Sequence, residues 1–168
     1  MATAKERLLE WLRDAHAMEK QAEKMLDATA GRIENYPEIK QKLEQHLAET
    51  KRQAALIEGC IERHGESTST LKDAAGKLTA IGQGLSGLFV GDEIVKASMA
   101  SYTFEHMEIS AYRALVAAAQ EAGDAETARV CEGILKEEEA MADWLGTHLP
   151  DTTRKYLSRE AADLTAKH

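Results

Sequence analysis

The sequence predicts an all-α protein: a four-helix bundle of two helical hairpins joined by one long crossover, with a short helix at the C-terminus. Three observations predict it. Apolar residues recur with a helical period over four long segments, about residues 4–30, 37–64, 92–122 and 124–148. The first and second segments, and the third and fourth, are separated by short turns carrying Gly31, Asn35 and Pro37 in one case and Gly123-Asp124 in the other. Residues 66–91 break the pattern with Ser, Thr and Gly, and are too long for a turn.

In chain order, the first helix starts near residue 4 and stops at Gly31. Pro37 suits the first turn of the second helix, which ends at Gly65. The connection, with Gly76, Gly82, Gly84, Gly87 and Gly91, is expected to hold a short helix around Leu71 to Ile81. Its apolar stretch Leu85-Ser86-Gly87-Leu88-Phe89-Val90 is suited to covering the bundle end or meeting another subunit. The third helix runs from about Asp92 to Ala122. The fourth ends near His148, before Pro150, and the tail forms a short amphipathic helix through Tyr156, Leu157, Ala161 and Leu164. Short loops make each hairpin antiparallel, whereas the long connection lets helices two and three run parallel. That single-crossover arrangement is the ferritin-like one.

The 168 residues fit one domain, 1–168, with a real core. A composition 43% hydrophobic and 30% charged favours a soluble helical protein, and 5% aromatics makes its core largely aliphatic. A formal charge of −8 argues against nucleic-acid partners, which need clustered Lys and Arg. No apolar run reaches membrane-spanning length and charges begin at Lys5, so no membrane association, no signal sequence and a cytoplasmic location are expected. Cys60 and Cys131 lack any CxxC spacing and read as small buried hydrophobes.

The chemistry lies in ionisable groups that interrupt the apolar stripes. Leu8, Leu12, Ala15, Ala22 and Leu26 fall within roughly 60° of Glu19 on the helical wheel. Ile94, Ser98, Ile109, Tyr112 and Val116 lie within about 40° of Glu105, and Cys131, Ile134, Ala142, Leu145 and Leu149 within about 40° of Glu138. On the second helix the stripe centres near His46 and Thr50, with Glu49 at its edge. Heights agree across the hairpins: Glu19 and Glu49 are centred on position 34, and Glu108 and Glu138 on position 123, each inside a turn. His46 with Glu49 and Glu105 with Glu108 form i, i+3 pairs, a spacing that puts both side chains on one face. Buried carboxylates need pairing, hydrogen bonds or a metal.

The expected metal ligands are therefore Glu19, His46, Glu49, Glu105, Glu108 and Glu138. So carboxylate-rich a set suits iron or manganese, at one or two ions per chain. The competing reading makes Glu19, Glu105 and Glu138 buried partners of inward Lys or Arg, Glu108 a hydrogen-bonding flank and His46 a core histidine. His16 reads as an outlying or surface group. His106 is off the Glu105–Glu108 face, and of Glu137-Glu138-Glu139 only Glu138 points inward. Tyr102 and Tyr112 read as core residues able to hydrogen-bond a ligand.

Together, His46-Leu47-Ala48-Glu49-Thr50, Glu105-His106-Met107-Glu108-Ile109 with Tyr112, Asp14, Glu19-Lys20-Gln21 and Glu137-Glu138 resemble the YciE/YciF family of bacterial ferritin-like stress proteins over residues 5 to 148. The resemblance implies a dimeric ferritin-like bundle with a di-iron-type site and a link to stress responses. The chain departs from the Glu-x-x-His repeat usual in ferritin-like di-metal sites. Arg52 stands three residues after Glu49, placed to pair with it, and Met141 three after Glu138. The expected function is metal binding with Fe(II) oxidation or peroxide scavenging, the partners being metal ions, oxygen or peroxide and a second copy of the chain. The alternative is a non-catalytic structural or interaction bundle with a degenerate site.

Overall fold

The computed structural model describes residues 1–65 and 94–166. They form α1 (Ala4–Arg32), α2 (Pro37–Arg63), α3 (Ile94–Glu121) and α4 (Ala125–Ala161), with no strand among the described residues. Thr3 opens α1 with a capping box: its hydroxyl accepts from the Glu6 amide at 3.2 Å while the Glu6 carboxylate accepts from the Thr3 amide at 2.7 Å. Pro37 starts α2, as expected. Gly65 (φ +77°) and Gly123 (φ +73°) follow α2 and α3 in the left-handed region that favours glycine.

Two apolar clusters give the helix directions. One joins Leu8, Leu12 and Ala15 near the start of α1 to Ile57, Cys60 and Ile61 late in α2, Leu115 and Ala119 late in α3, and Ala128 and Cys131 early in α4. The other joins Leu26 and Ala30 to Ile39, Leu43, Ile94 and Leu145. Hence α1 runs antiparallel to α2 and α3, and α2 parallel to α3, the ferritin-like topology predicted above. Around the bundle, α1 packs on α2 and α3, and α4 on α3 and α2. Both cysteines are buried free thiols. No described helix is long and apolar enough to cross a membrane. The crossover 66–91, its expected helix at Leu71 to Ile81 and the Leu85 to Val90 stretch lie outside the described residues.

At one end, α2 is clasped to α4. Asp124 caps α4 by accepting from the Thr127 amide at 3.0 Å, and its other oxygen lies 2.8 Å from His64 Nε2. Arg63 donates to Thr127 Oγ1 at 2.8 Å and pairs with Glu126 at 3.0 Å.

At the other end the expected break before Pro150 is absent. The tail is helical as predicted, but it continues α4 unbroken to Ala161. An internal proline removes a backbone donor and costs about 3 kcal/mol. Here docking of the tail on the α1–α2 turn opposes that cost. Tyr156 is buried, Tyr36 Oη donates to the Ala166 carbonyl at 2.5 Å, and Lys155 donates to the Asn35 carbonyl at 2.9 Å. Lys155 also sits over the Tyr36 ring, 4.9 Å from its centroid.

Replacing Asp124 by Ala should lower stability by about 1–2 kcal/mol through the lost cap, as read by denaturant unfolding. Partial burial opposes ionisation, but hydrogen bonds from Thr127 and His64 prevail and hold the Asp124 carboxyl down to about 2, against its ordinary 3.8. Its contribution is therefore present above pH 3.8 and lost as pH falls through about 2, so the gap between wild type and variant should close in acid.

Candidate metal centre

Between the two apolar clusters lies a polar layer. Glu19 from α1, His46 from α2, Glu105 and Glu108 from α3 and Glu138 from α4 are all at most 2% exposed. The i, i+3 spacing on α3 turns Glu105 and Glu108 inward together, and the antiparallel α3–α4 pairing sets Glu138 opposite them. His46, Glu105, Glu108 and Glu138 each offer one donor atom, and these atoms lie within 4.8 Å of one another, a group able to hold a metal ion.

His46 organises this layer. Its Nε2 is 3.2 Å from Glu105 Oε2 and 3.4 Å from Glu138 Oε2, while Nδ1 is 3.0 Å from Glu49 Oε2. Gln45 donates to the other Glu49 oxygen at 3.0 Å. Tyr112, itself fully buried, donates its hydroxyl to Glu19 Oε1. Much of the remaining acceptor capacity is unmet. Glu19 Oε2, Glu105 Oε2, Glu108 Oε1 and both Glu138 oxygens are buried without a well-directed hydrogen bond. Carboxylates only accept, so oxygens facing one another need protons or a cation between them. That shortage of donors, together with one imidazole, fits an oxygen-preferring transition metal.

The protonation equilibria reflect the same shortage. Burial and then the Glu138 charge push Glu19 up to about 8, and burial also raises Glu105, to about 7, despite its contact with His46. Glu108 is pushed well above the usual carboxylate range by burial and by Glu19, Glu138 and Glu105. For His46, burial disfavours the imidazolium, but the nearby Glu105 and Glu138 outweigh it and hold the ring up to about 11. Burial and the Glu19 charge raise the Tyr112 phenol far above its ordinary value.

Of the six predicted ligands, four come together in this group. Glu19 borders it, held by Tyr112 and within electrostatic reach of Glu138, His46 and Glu105. Glu49 is half-buried behind His46, on the ring nitrogen facing away from Glu105 and Glu138. The groups that meet these acids are His46 and Tyr112, where the competing reading expected Lys or Arg. Arg52 does not pair with Glu49 as expected; it reaches across to Glu137 Oε1 at 2.5 Å. Glu139 pairs with Arg113 at 2.7 Å, so Glu138 is the inward member of its run. His106 is exposed, with its ring edge-on to Tyr102. The sequence reading overlooked Gln53, which is fully buried between α2 and α4; the available signal was its place seven residues after His46, on the same helical face.

Residues 3–158 match the family described as a domain of unknown function, DUF892. The chain belongs to this family. Among solved structures, it is 42% identical to a protein of Xanthomonas campestris pv. campestris, with 95% of this chain and 99% of that one covered and a TM-score of 0.80. YcfI from Rhodopseudomonas palustris is 25% identical over 88% of this chain and 95% of its own, with a TM-score of 0.69. The Escherichia coli stress protein YciF shares the fold at 22% identity, covering 92% of this chain and 99% of its own, with a TM-score of 0.74. These matches agree with the YciE/YciF resemblance carried by the sequence motifs.

The raised values have a sign that can be measured. Glu105 and Glu19, at about 7 and about 8 against an ordinary 4.5, hold protons in the folded state that the unfolded chain releases. The stability of metal-free protein should fall as pH rises from about 4.5 to about 8. His46 acts in the same direction: its contribution is full below 6.5 and lost as pH rises through about 11. Melting in chelator should give a lower Tm at pH 8 than at pH 5, with a shallower dependence in Glu19→Gln. A Tm that is flat or rising over this interval contradicts the prediction.

Proposed function

We propose that this chain is a ferritin-like metal-binding protein that takes iron or manganese at His46, Glu105, Glu108 and Glu138, with Glu19 as a further carboxylate. One observation carries the reading: buried carboxylate oxygens lacking donors converge on a single imidazole nitrogen. Bound there, iron or manganese would supply redox chemistry toward oxygen or peroxide, with Fe(II) itself a candidate substrate for oxidation. The chain's own groups prepare the place. Glu49 and Gln45 fix the His46 ring from behind, so that Nε2 faces the carboxylates. Tyr112 immobilises one oxygen of Glu19 and leaves the other directed elsewhere. Buried apolar residues of the two flanking clusters, such as Leu12 and Ile134 in one and Met141 in the other, would keep water from the layer. Metal binding there would require Glu105, Glu19 and His46 to give up the protons they otherwise retain. We assign the protein to a cytoplasmic stress response, acting as a homodimer on Fe(II), oxygen or peroxide.

A second reading, a structural bundle with a degenerate site, draws on one feature. Arg52 occupies the position where a Glu-x-x-His repeat would carry a ligand and is committed to Glu137.

Metal content by mass spectrometry, before and after anaerobic Fe(II) loading, separates the two. One or two ions per wild-type chain, with a loss of at least tenfold in affinity in Glu105→Ala, is the expected result. No ion in the wild type under any loading would leave the structural bundle.

A further inference from the structure

Cys60 and Cys131 have no part in the metal centre, yet the fold brings them together. Both are free thiols at 0% exposure in the apolar cluster that also holds Tyr112. Cys60 stands on α2 and Cys131 on α4, two helices that pack on one another, so each hairpin supplies one thiol. Register sets them level. Gln53 reaches Glu137 at 2.9 Å and Arg63 reaches Thr127 at 2.8 Å, so ten residues forward on α2 match ten back on α4. Cys60 lies three residues before Arg63 and Cys131 four beyond Thr127, which puts both at one height. Thr127 bridges them: it is one turn from Cys131 on α4 and within hydrogen-bonding reach of Cys60. The thiols are also close enough for a charge on Cys60 to oppose ionisation of Cys131.

Their surroundings differ. Burial raises the Cys60 thiol, but Thr127 and Arg63 oppose this, with Arg63 Nη1 3.9 Å from Cys60 Sγ. Burial pushes Cys131 up to about 12, and the charges of Cys60 and Asp124 add to it. A sulfur beside a guanidinium and a hydroxyl yields a thiolate more readily than one facing carboxylates. Both sulfurs also sit near one end of the bundle, Cys60 in the last turn of α2 and Cys131 in the second turn of α4. Helix ends open more often than helix middles, which gives a small neutral oxidant a way in.

We propose that Cys60 and Cys131 form a peroxide-reactive dithiol that closes into a disulfide between α2 and α4, an activity separate from the metal centre. Cys60, as thiolate, attacks one peroxide oxygen. The S–O bond forms, the O–O bond breaks, and the departing hydroxide takes the thiol proton to leave as water. The Cys131 sulfur then attacks the Cys60 sulfenic acid. The S–S bond forms, the S–O bond breaks, and hydroxide leaves with the Cys131 proton as a second water. The peroxide gains two electrons, supplied by the two thiols, and one peroxide is consumed per chain.

The test treats the full chain with hydrogen peroxide in chelator, so that metal chemistry does not contribute. Free thiols are then alkylated after unfolding and the fragments mapped by mass spectrometry. Wild type should lose both thiols together, with the Cys60 and Cys131 fragments linked within one chain, and a thiol reductant should reverse the change. In Cys131→Ser the Cys60 sulfenic acid should accumulate and be captured by dimedone. In Cys60→Ser, oxidation of Cys131 should slow by about tenfold or more, and Cys60→Ala should match it. The proposal is overturned if wild type keeps both thiols under peroxide that oxidises them in urea, if they gain oxygen without linking, or if the link joins separate chains. None of these results bears on metal uptake by the polar layer, and a chain that takes up no metal leaves the thiol reaction in place.

Discussion

Everything in this bundle accommodates one constraint: several carboxylates are enclosed at mid-height with a single imidazole for positive charge. Such a layer is unfavourable by itself, since each ionised acid has lost water and faces its like. The protein meets the constraint in three ways. Protons stay on acids that would ordinarily release them, His46 stays protonated, and Tyr112 supplies a neutral donor to Glu19. A cation would relieve the same deficit at one stroke, which links the protonation of the layer to its chemistry.

The surroundings make that layer possible. An apolar cluster lies on each side of it along the bundle axis, so stability derives from aliphatic packing above and below a polar stratum. The ends are secured separately. The Asp124 clasp fastens α2 to α4 at one end, and the tail docks over Tyr36 and Asn35 at the other. Glu49 and Glu137 stand at the border between inside and outside: each is partly exposed, and each fixes the orientation of a buried α2 side chain, His46 or Gln53.

Much of this was legible in the sequence because stripe periodicity and hairpin symmetry are local properties. Glu19, Glu105 and Glu138 announced themselves by sitting inside apolar stripes, and equal distances from the second turn set Glu108 beside Glu138, whereas the same symmetry about the first turn did not bring Glu49 into the layer with Glu19. What could not be read depended on partners from other helices. Arg52 lies near Glu49 on its own wheel, yet its partner Glu137 comes from α4. Pro150 signals a helix end locally, but contacts made by Tyr156 and Lys155 with the α1–α2 turn override it. Glu49 was readable as inward-facing at the stripe edge; its place behind His46, on Nδ1, required the ring orientation. Gln53 carries no charge to mark it against an apolar background, so a search for ionisable intruders passed over it.

The parallel course of α2 and α3 has a consequence for how the centre comes into being. The first hairpin contributes Glu19 and His46; the second contributes Glu105, Glu108 and Glu138. Each hairpin closes through a short turn, a low-contact-order event that needs nothing from the other half. Neither half alone owns a complete set of donors. The candidate donor set is thus a quaternary-like junction within one polypeptide, assembled from two hairpins that each supply part of it. An ion held there would tie hairpin to hairpin, and would resist their separation far more than the fraying of any single helix.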